Sequence, residues 1–493
     1  MPTDKTTGKG LNRSRFASCF AIALVVMIGA CSCGGDDPFV VVPPDDDDDD
    51  PIVPIPGDTT PGTIRLNPGL QYQTISGWYA TAQVGEFECP TFPIYRDELY
   101  NRMINELGLN RIKLPVRSAS EHPVDHFASF ESGALTLQQW QDTWFHAQND
   151  NGDPNLINPA GFHWGGLDSD IESIALPMEQ LLQARGERLV VSLTFTDTKT
   201  DPFEHKSAPH EYAEFMLALF QHMQSKYGFV PDIIEVVNEP DTPPVAWTGA
   251  QQGRAIAAAG ARLEAAGFTP RFAVPGTADM AQAPTMYDAA IQQTGAAKYV
   301  QEISYHRYRG ATAANLQKIA QRVTRDGLGA AMSEHIGSGY EDLHEDLKVG
   351  QATAWMQFAI ALCGSGKTDG GGIYYRIDES NPANPVITPR SRTPFLWQYF
   401  RYIREGALRI EATSAIADLD PVAFVHPSGL HTIVVKAANA ATFSVGTMPA
   451  GTYGITYVTD SVINGVLADV TLASRGKVTV AMPAKGVVTI FGK

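Results

Sequence analysis

Strand-like apolar runs alternate with amphipathic helix-like stretches between residues 73 and 377, and few folds can accommodate that alternation. The runs are QTISGWYA (73–80), NRIKLPV (110–116), RLVVSLTF (188–195), IIEVVN (233–238), RFAVPG (271–276), QEISYHRY (301–308), GAAMSEH (329–335) and GGIYYRI (371–377). Stretches such as RDELYNRMINELG, HEYAEFMLALFQHMQSKYG and ANLQKIAQRVTRDG separate them, with apolar residues spaced by three and four and Gly at their ends. Eight such units predict an α/β fold closed into a (β/α)8 TIM barrel, because a doubly wound open sheet usually needs fewer. From about residue 410 the texture changes to short β-rich runs, VAFVHPSGLHTIVVKA and YGITYVT among them, broken by Gly, Pro, Asn and Ser. That change predicts a C-terminal antiparallel β-sandwich over 410–493. The barrel is expected over 63–409, with 63–72 able to add a strand to the sandwich.

The N-terminus reads as an address. Lys5, Lys9, Arg13 and Arg15 precede an apolar run from Ala17 to Ala30, too short for a stable membrane span and flanked like a secretory signal. IGAC, ending at Cys31, resembles a bacterial lipobox, so 1–30 is expected to be a signal peptide and Cys31 the lipidated anchor of an exported lipoprotein at the outer membrane or cell surface. Residues 31–62 hold prolines, glycines and the run Asp45 to Asp50, which predicts a disordered extended tether; calcium binding by that run is the competing reading. Of the formal charge of −17, residues 1–30 contribute +3 and residues 31–62 contribute −9, leaving −11 on the remaining 431 residues. A mildly acidic folded part argues against nucleic acid as a partner, and a monomer is expected. Beyond residue 62 only Cys89 and Cys363 remain, which excludes a disulfide scaffold and a zinc site. Cys89 follows the first strand and Cys363 ends an apolar stretch read as a helix, so the two are expected at opposite barrel ends and a bond is the minority reading.

A parallel barrel builds its site where the strands end, so position along a strand carries chemical meaning. The fourth run ends in Asn238-Glu239-Pro240 and the seventh ends in Ser333-Glu334-His335, which sends two glutamates into one mouth. Glycosidic-bond hydrolysis needs such a pair, one carboxyl protonating the leaving oxygen while the other attacks or activates water. His306 and Tyr308 close the sixth run on one side of it, and the phenol could hold a nucleophilic carboxylate ionised. Trp78, Asp197, Tyr375, Arg376 and Trp247 complete the candidate sugar-binding residues. Core packing is the competing reading for each aromatic, above all for Trp78 and Phe195. No metal or cofactor is called for. The long connection over 118–169, with Trp140, Trp144 and Trp164, is expected to set specificity.

These motifs resemble the retaining glycoside hydrolases of clan A, and within the clan family 30, which includes glucosylceramidase-like enzymes, xylanases and β-1,6-glucanases. The resemblance rests on QTISGW, VVNEP, ISYHRY, SEH and YFRYIREGALRI, and covers roughly residues 64 to 493. It implies Glu239 as general acid/base, Glu334 as nucleophile and Asn238 as the partner of a sugar 2-hydroxyl, with a β-linked oligo- or polysaccharide as substrate. Glu239 is then expected to be held protonated by its surroundings. Lys113 stands where many relatives carry Arg, and Phe195 and Tyr375 where tryptophans are common, which leaves the substrate open. The competing readings are a surface glycan-binding lipoprotein without catalysis and a clan A glycosidase of another family.

Overall fold

The computed structural model describes residues 62–197, 203–244, 246–363 and 372–493. Cys31, the signal segment and the aspartate run lie outside the described residues. No helix among the described residues is long and apolar enough to cross a membrane.

Eight parallel strands form the barrel: Gly77–Trp78, Arg111–Arg117, Val190–Thr196, Ile233–Glu235, Phe272–Asp279, Val300–Arg309, Gly329–Glu334 and Ala354–Trp355. Closure comes from the chain just past the first strand, where Lys113 N donates to Ala80 O and Ala82 N to Lys113 O, both at 2.8 Å. Strands such as VVSLTF are buried on both faces, by the barrel interior and by the surrounding helices, which is why they read as unbroken apolar runs.

The eighth strand is not the expected one. Ala354–Trp355 pairs with both the seventh and the first strand. GGIYYRI instead contributes Ile373–Asp378 to a three-stranded side sheet, between Ala359–Cys363 and Val386–Pro389. A near-continuous apolar stretch carries no periodicity that separates a buried strand from a buried helix, and AWMQFAIALC, read as helical, holds two strands.

The C-terminal domain is a nine-stranded β-rich sheet. Its members include Thr63–Thr74, which pairs antiparallel with Leu408–Thr413 and, through its first residues, parallel with Ala441–Met448. Ile64, Ile433, Val435, Val445, Val480 and Ile490 fill its core. The helix Thr393–Phe400 joins the two cores. Phe400 stacks on Trp78 with ring centroids 4.7 Å apart, and Thr489 Oγ1 donates to Gln398 O at 2.7 Å.

Candidate active site

The barrel interior is charged, and strand alternation explains how. Arg111 and Lys113 lie two apart on the second strand, so both point inward. Arg111 forks onto Glu302, with Nη1 and Nη2 donating to Oε1 and Oε2 at 2.8 Å each. One layer nearer the mouth, Lys113 Nζ lies 3.2 Å from Glu235 Oε2. Glu235 also accepts from Thr194 Oγ1 at 2.8 Å and Ser333 Oγ at 3.0 Å. Burial raises the Glu235 carboxyl, yet the charges of Lys113 and His306 and the hydrogen bonds from Thr194 and Lys113 outweigh it and bring it to about 2. For Lys113 burial acts downward, and the facing carboxylates of Glu235 and Glu334 leave the ammonium raised overall. The fit is close: Gly276 has φ +70, and a Cβ there would sit 2.8 Å from Glu235 Oε1.

Lys113 also reaches the mouth, donating to Asn238 Oδ1 at 3.0 Å and lying 3.6 Å from Glu334 Oε2. Strand pairing of the fourth strand stops at Glu235, and the chain continues to Glu239, which adopts φ 50. Non-glycine residues rarely occupy that left-handed region, and where they do the surrounding structure holds them there. Here Glu239 N donates to Gly276 O at 3.0 Å. The sixth strand supplies a partner to each glutamate. His306 Nδ1 lies 3.1 Å from Glu239 Oε1, and Tyr308 Oη donates to Glu334 Oε1 at 2.9 Å. Burial and the Glu334 charge push the Tyr308 phenol well up, so it stays a donor. One oxygen of each glutamate and a ring nitrogen of His306 lie within 4.8 Å of one another. By distance those three atoms could surround a cation, but His306, Tyr308 and Lys113 already compensate the two carboxylates.

The protonation of Glu239 departs from expectation. Burial raises its carboxyl, but the His306 hydrogen bond and the charges of His306, Lys113 and Arg309 pull harder, and the net shift is downward. In the free protein its surroundings favour the carboxylate.

A cleft of about 370 Å³ is lined by Lys113, Asn238 and Glu334 together with Glu86, Phe87, Trp144 and Phe358. The guanidinium of Arg117 sits 3.9 Å from the Trp144 ring, which steadies that wall. Cys89 and Cys363 are disulfide-bonded with Cα atoms 5.7 Å apart, contrary to their expected separation. The reason is the misread strand: Cys363 ends Ala359–Cys363, and its neighbour Leu362 and the Cys89 neighbour Glu88 both line the cleft.

Among the sequence-derived candidates, the structure brings Asn238, Glu239, His306, Tyr308 and Glu334 together. Trp78 is turned into the core, its Nε1 donating to Ile403 O. Trp247 is buried against Phe195 and Tyr212, and Tyr375 is buried with Oη donating to Arg102 O. Arg376 belongs to the side sheet, and Asp197 is buried with Oδ1 accepting from Ser118 Oγ at 3.3 Å. The Lys113–Glu235 pair was not singled out from the sequence, although Glu235 is the one charged residue inside IIEVV.

No protein-family model and no curated protein matches the sequence. Among solved structures, the fold is similar to a family 30 subfamily 8 xylanase from Clostridium acetobutylicum (18% identity, TM-score 0.63, covering 88% of this chain and 100% of that one). It is also similar to the catalytic domain of a family 30 xylanase C from Talaromyces cellulolyticus (16% identity, TM-score 0.61, 87% and 100%). An endo-β-1,6-glucanase aligns comparably (15% identity, TM-score 0.63, 88% and 93%). At these identities the likeness is one of fold.

Proposed function

We propose that this chain is a retaining β-glycosidase of the family 30 type, hydrolysing a β-linked glycan by double displacement. The observation that carries the reading is the convergence of Glu239 and Glu334 at the barrel mouth, where one oxygen of each lies within 4.8 Å of the other. Retaining pairs stand about 5–5.5 Å apart, whereas inverting pairs need about 6.5–9.5 Å to admit a water. Glu334, which accepts from Tyr308 Oη and lies 3.6 Å from Lys113 Nζ, attacks the anomeric carbon, and Glu239 protonates the departing oxygen.

The low-lying Glu239 carboxyl gains the proton that the first step needs once substrate covers it, because excluding water penalises the charged carboxylate. After glycosylation Glu334 has lost its charge, and an acidic Glu239 suits the base needed to activate water. Xylan and β-glucan are the substrate classes in view, since xylanases and a β-1,6-glucanase share the fold. The expected export and lipid anchor on Cys31 rest on the N-terminal residues alone.

Activity on aryl β-glycosides, xylan, β-1,6-glucan, β-1,3-glucan and β-galactan tests the proposal. Glu239→Gln should lower kcat on polysaccharide on the order of 10²–10⁴-fold, Glu334→Ala should abolish turnover, and a 2-fluoro-glycoside should label Glu334. Wild-type rates in both variants would refute it. Glycan binding with no release of reducing sugar would point to the non-catalytic scaffold.

A further inference from the structure

Away from the cleft, the long connection after the second barrel strand meets the helix Pro209–Tyr227, and three carboxylates converge there: Asp150, Glu211 and Glu214. One oxygen of each lies within 4.8 Å of the others. Glu211 and Glu214 are three apart on the helix and so share a face. Glu214 is only 1% exposed, and neither of its carboxylate oxygens has a hydrogen-bond partner. Oε2 of Glu211 and Oδ1 of Asp150 are likewise buried without a donor, as is Oδ1 of the adjacent Asn149. Among the described residues, none of the three acids takes part in an ion pair with Lys, Arg or His. Arg262, the cation that acts on Glu214, spends Nη1 on Pro154 O. Buried carboxyl oxygens without donors are costly, and a site built only of acceptors is relieved either by a proton, toward which burial and Glu211 push the Glu214 carboxyl (up to about 8), or by a bound cation.

The geometry is held in place rather than left to a floppy loop. Asp150 N donates to Glu121 Oε1 at 3.0 Å, while Glu121 Oε2 lies 2.8 Å from His205 Nε2, just before the helix that carries Glu211 and Glu214. The far oxygen of Asp150, Oδ2, accepts from Asn158 N at 2.6 Å and Asn151 Nδ2 at 2.9 Å, which leaves Oδ1 for the cluster. Gly161 packs so close that a Cβ would stand 2.4 Å from Asp150 Cβ.

We propose that Asp150, Glu211 and Glu214 bind a calcium ion that fastens the connection over 118–169 to the barrel helix Pro209–Tyr227. An all-oxygen set without His or Cys excludes the softer metals as preferred occupants. Its irregular carboxylate-rich arrangement suits calcium better than the strict octahedron of magnesium. Asp150 and Glu211 are only half-buried, so water can complete the coordination. The same connection carries Trp144 and Phe145, both lining the cleft, so the ion would stiffen one cleft wall from behind.

Calorimetric titration of chelator-stripped full-length protein with CaCl2 tests this without reference to enzyme activity. The expected result is one calcium per chain, weaker binding of MgCl2, and a rise in the unfolding midpoint of about 3–5 °C at a roughly hundredfold excess over Kd. Glu214→Gln and Asp150→Asn should each lose the binding and the rise. No heat and no shift in the wild type would overturn the proposal, as would calcium binding that survives both substitutions. Should a variant fail to fold, the full chain with Asp45–Asp50 replaced by Ser decides: one ion still bound supports the site, and none refutes it. A Glu214→Gln variant more stable than the calcium-treated wild type would show instead that the acids merely repel one another.

Discussion

Tyr308 illustrates how much one hydroxyl contributes at the residue scale. It donates to Glu334 Oε1, and its raised phenol pKa keeps it a donor across the working pH range. Tyr308→Phe should therefore lower kcat roughly 10- to 100-fold, the worth of one hydrogen bond to a charged group. Circular dichroism and the unfolding midpoint should stay close to wild type, since Tyr308 is 37% exposed. A change in KM alone would argue against this assignment. Glu239 and Glu334 were legible in the sequence because a polar residue closing an apolar strand has only the barrel mouth to enter. Trp78, Trp247 and Tyr375 were not, because an aromatic at a strand end or in the following loop faces core or cleft according to a register the sequence leaves open. The downward shift of Glu239 was also hidden, since it arises from His306, 67 residues further along the chain.

Lys113 and Glu235 belong to the scale of elements, because they bind the second strand to the fourth inside the barrel. Lys113→Met leaves Glu235 buried without its cation and should cost about 3–5 kcal/mol in urea unfolding, with Glu235→Met in the same chain recovering part of the loss. The pH dependence has a definite sign. The folded pKa of Glu235, about 2, lies below its unfolded value. Its contribution of about 3 kcal/mol is therefore present above roughly pH 4.3 and lost as pH falls toward 2. Unfolding midpoints measured across that window should fall more steeply in the wild type than in Glu235→Gln. The misassigned eighth strand is the complementary lesson. Two residues suffice for the ladder there, and a strand that short leaves no period to detect among apolar neighbours.

Over the whole molecule, the disulfide and the first strand cross distances that no local pattern reports. Cys89 and Cys363 close a loop of 274 residues at the cleft rim. Reductant should lower stability by about 2–5 kcal/mol, seen as an earlier denaturant midpoint, and a Cys89→Ala, Cys363→Ala double variant should show no further effect of reductant. Thr63–Thr74 likewise precedes the barrel in the chain yet lies in the C-terminal sheet, beside Leu408–Thr413. The sequence alone determined the barrel class, the β-rich C-terminal domain and the two glutamates that share a mouth. Those follow from local periodicity and from strand ends, which short stretches of chain encode. The tertiary structure decided which aromatics face the cleft, where the eighth strand runs, that the cysteines pair, and that Lys113 and His306 set the charge around the glutamates. Each of those depends on register and on contacts between distant segments, where side-chain direction and electrostatics arise only after the chain has closed on itself.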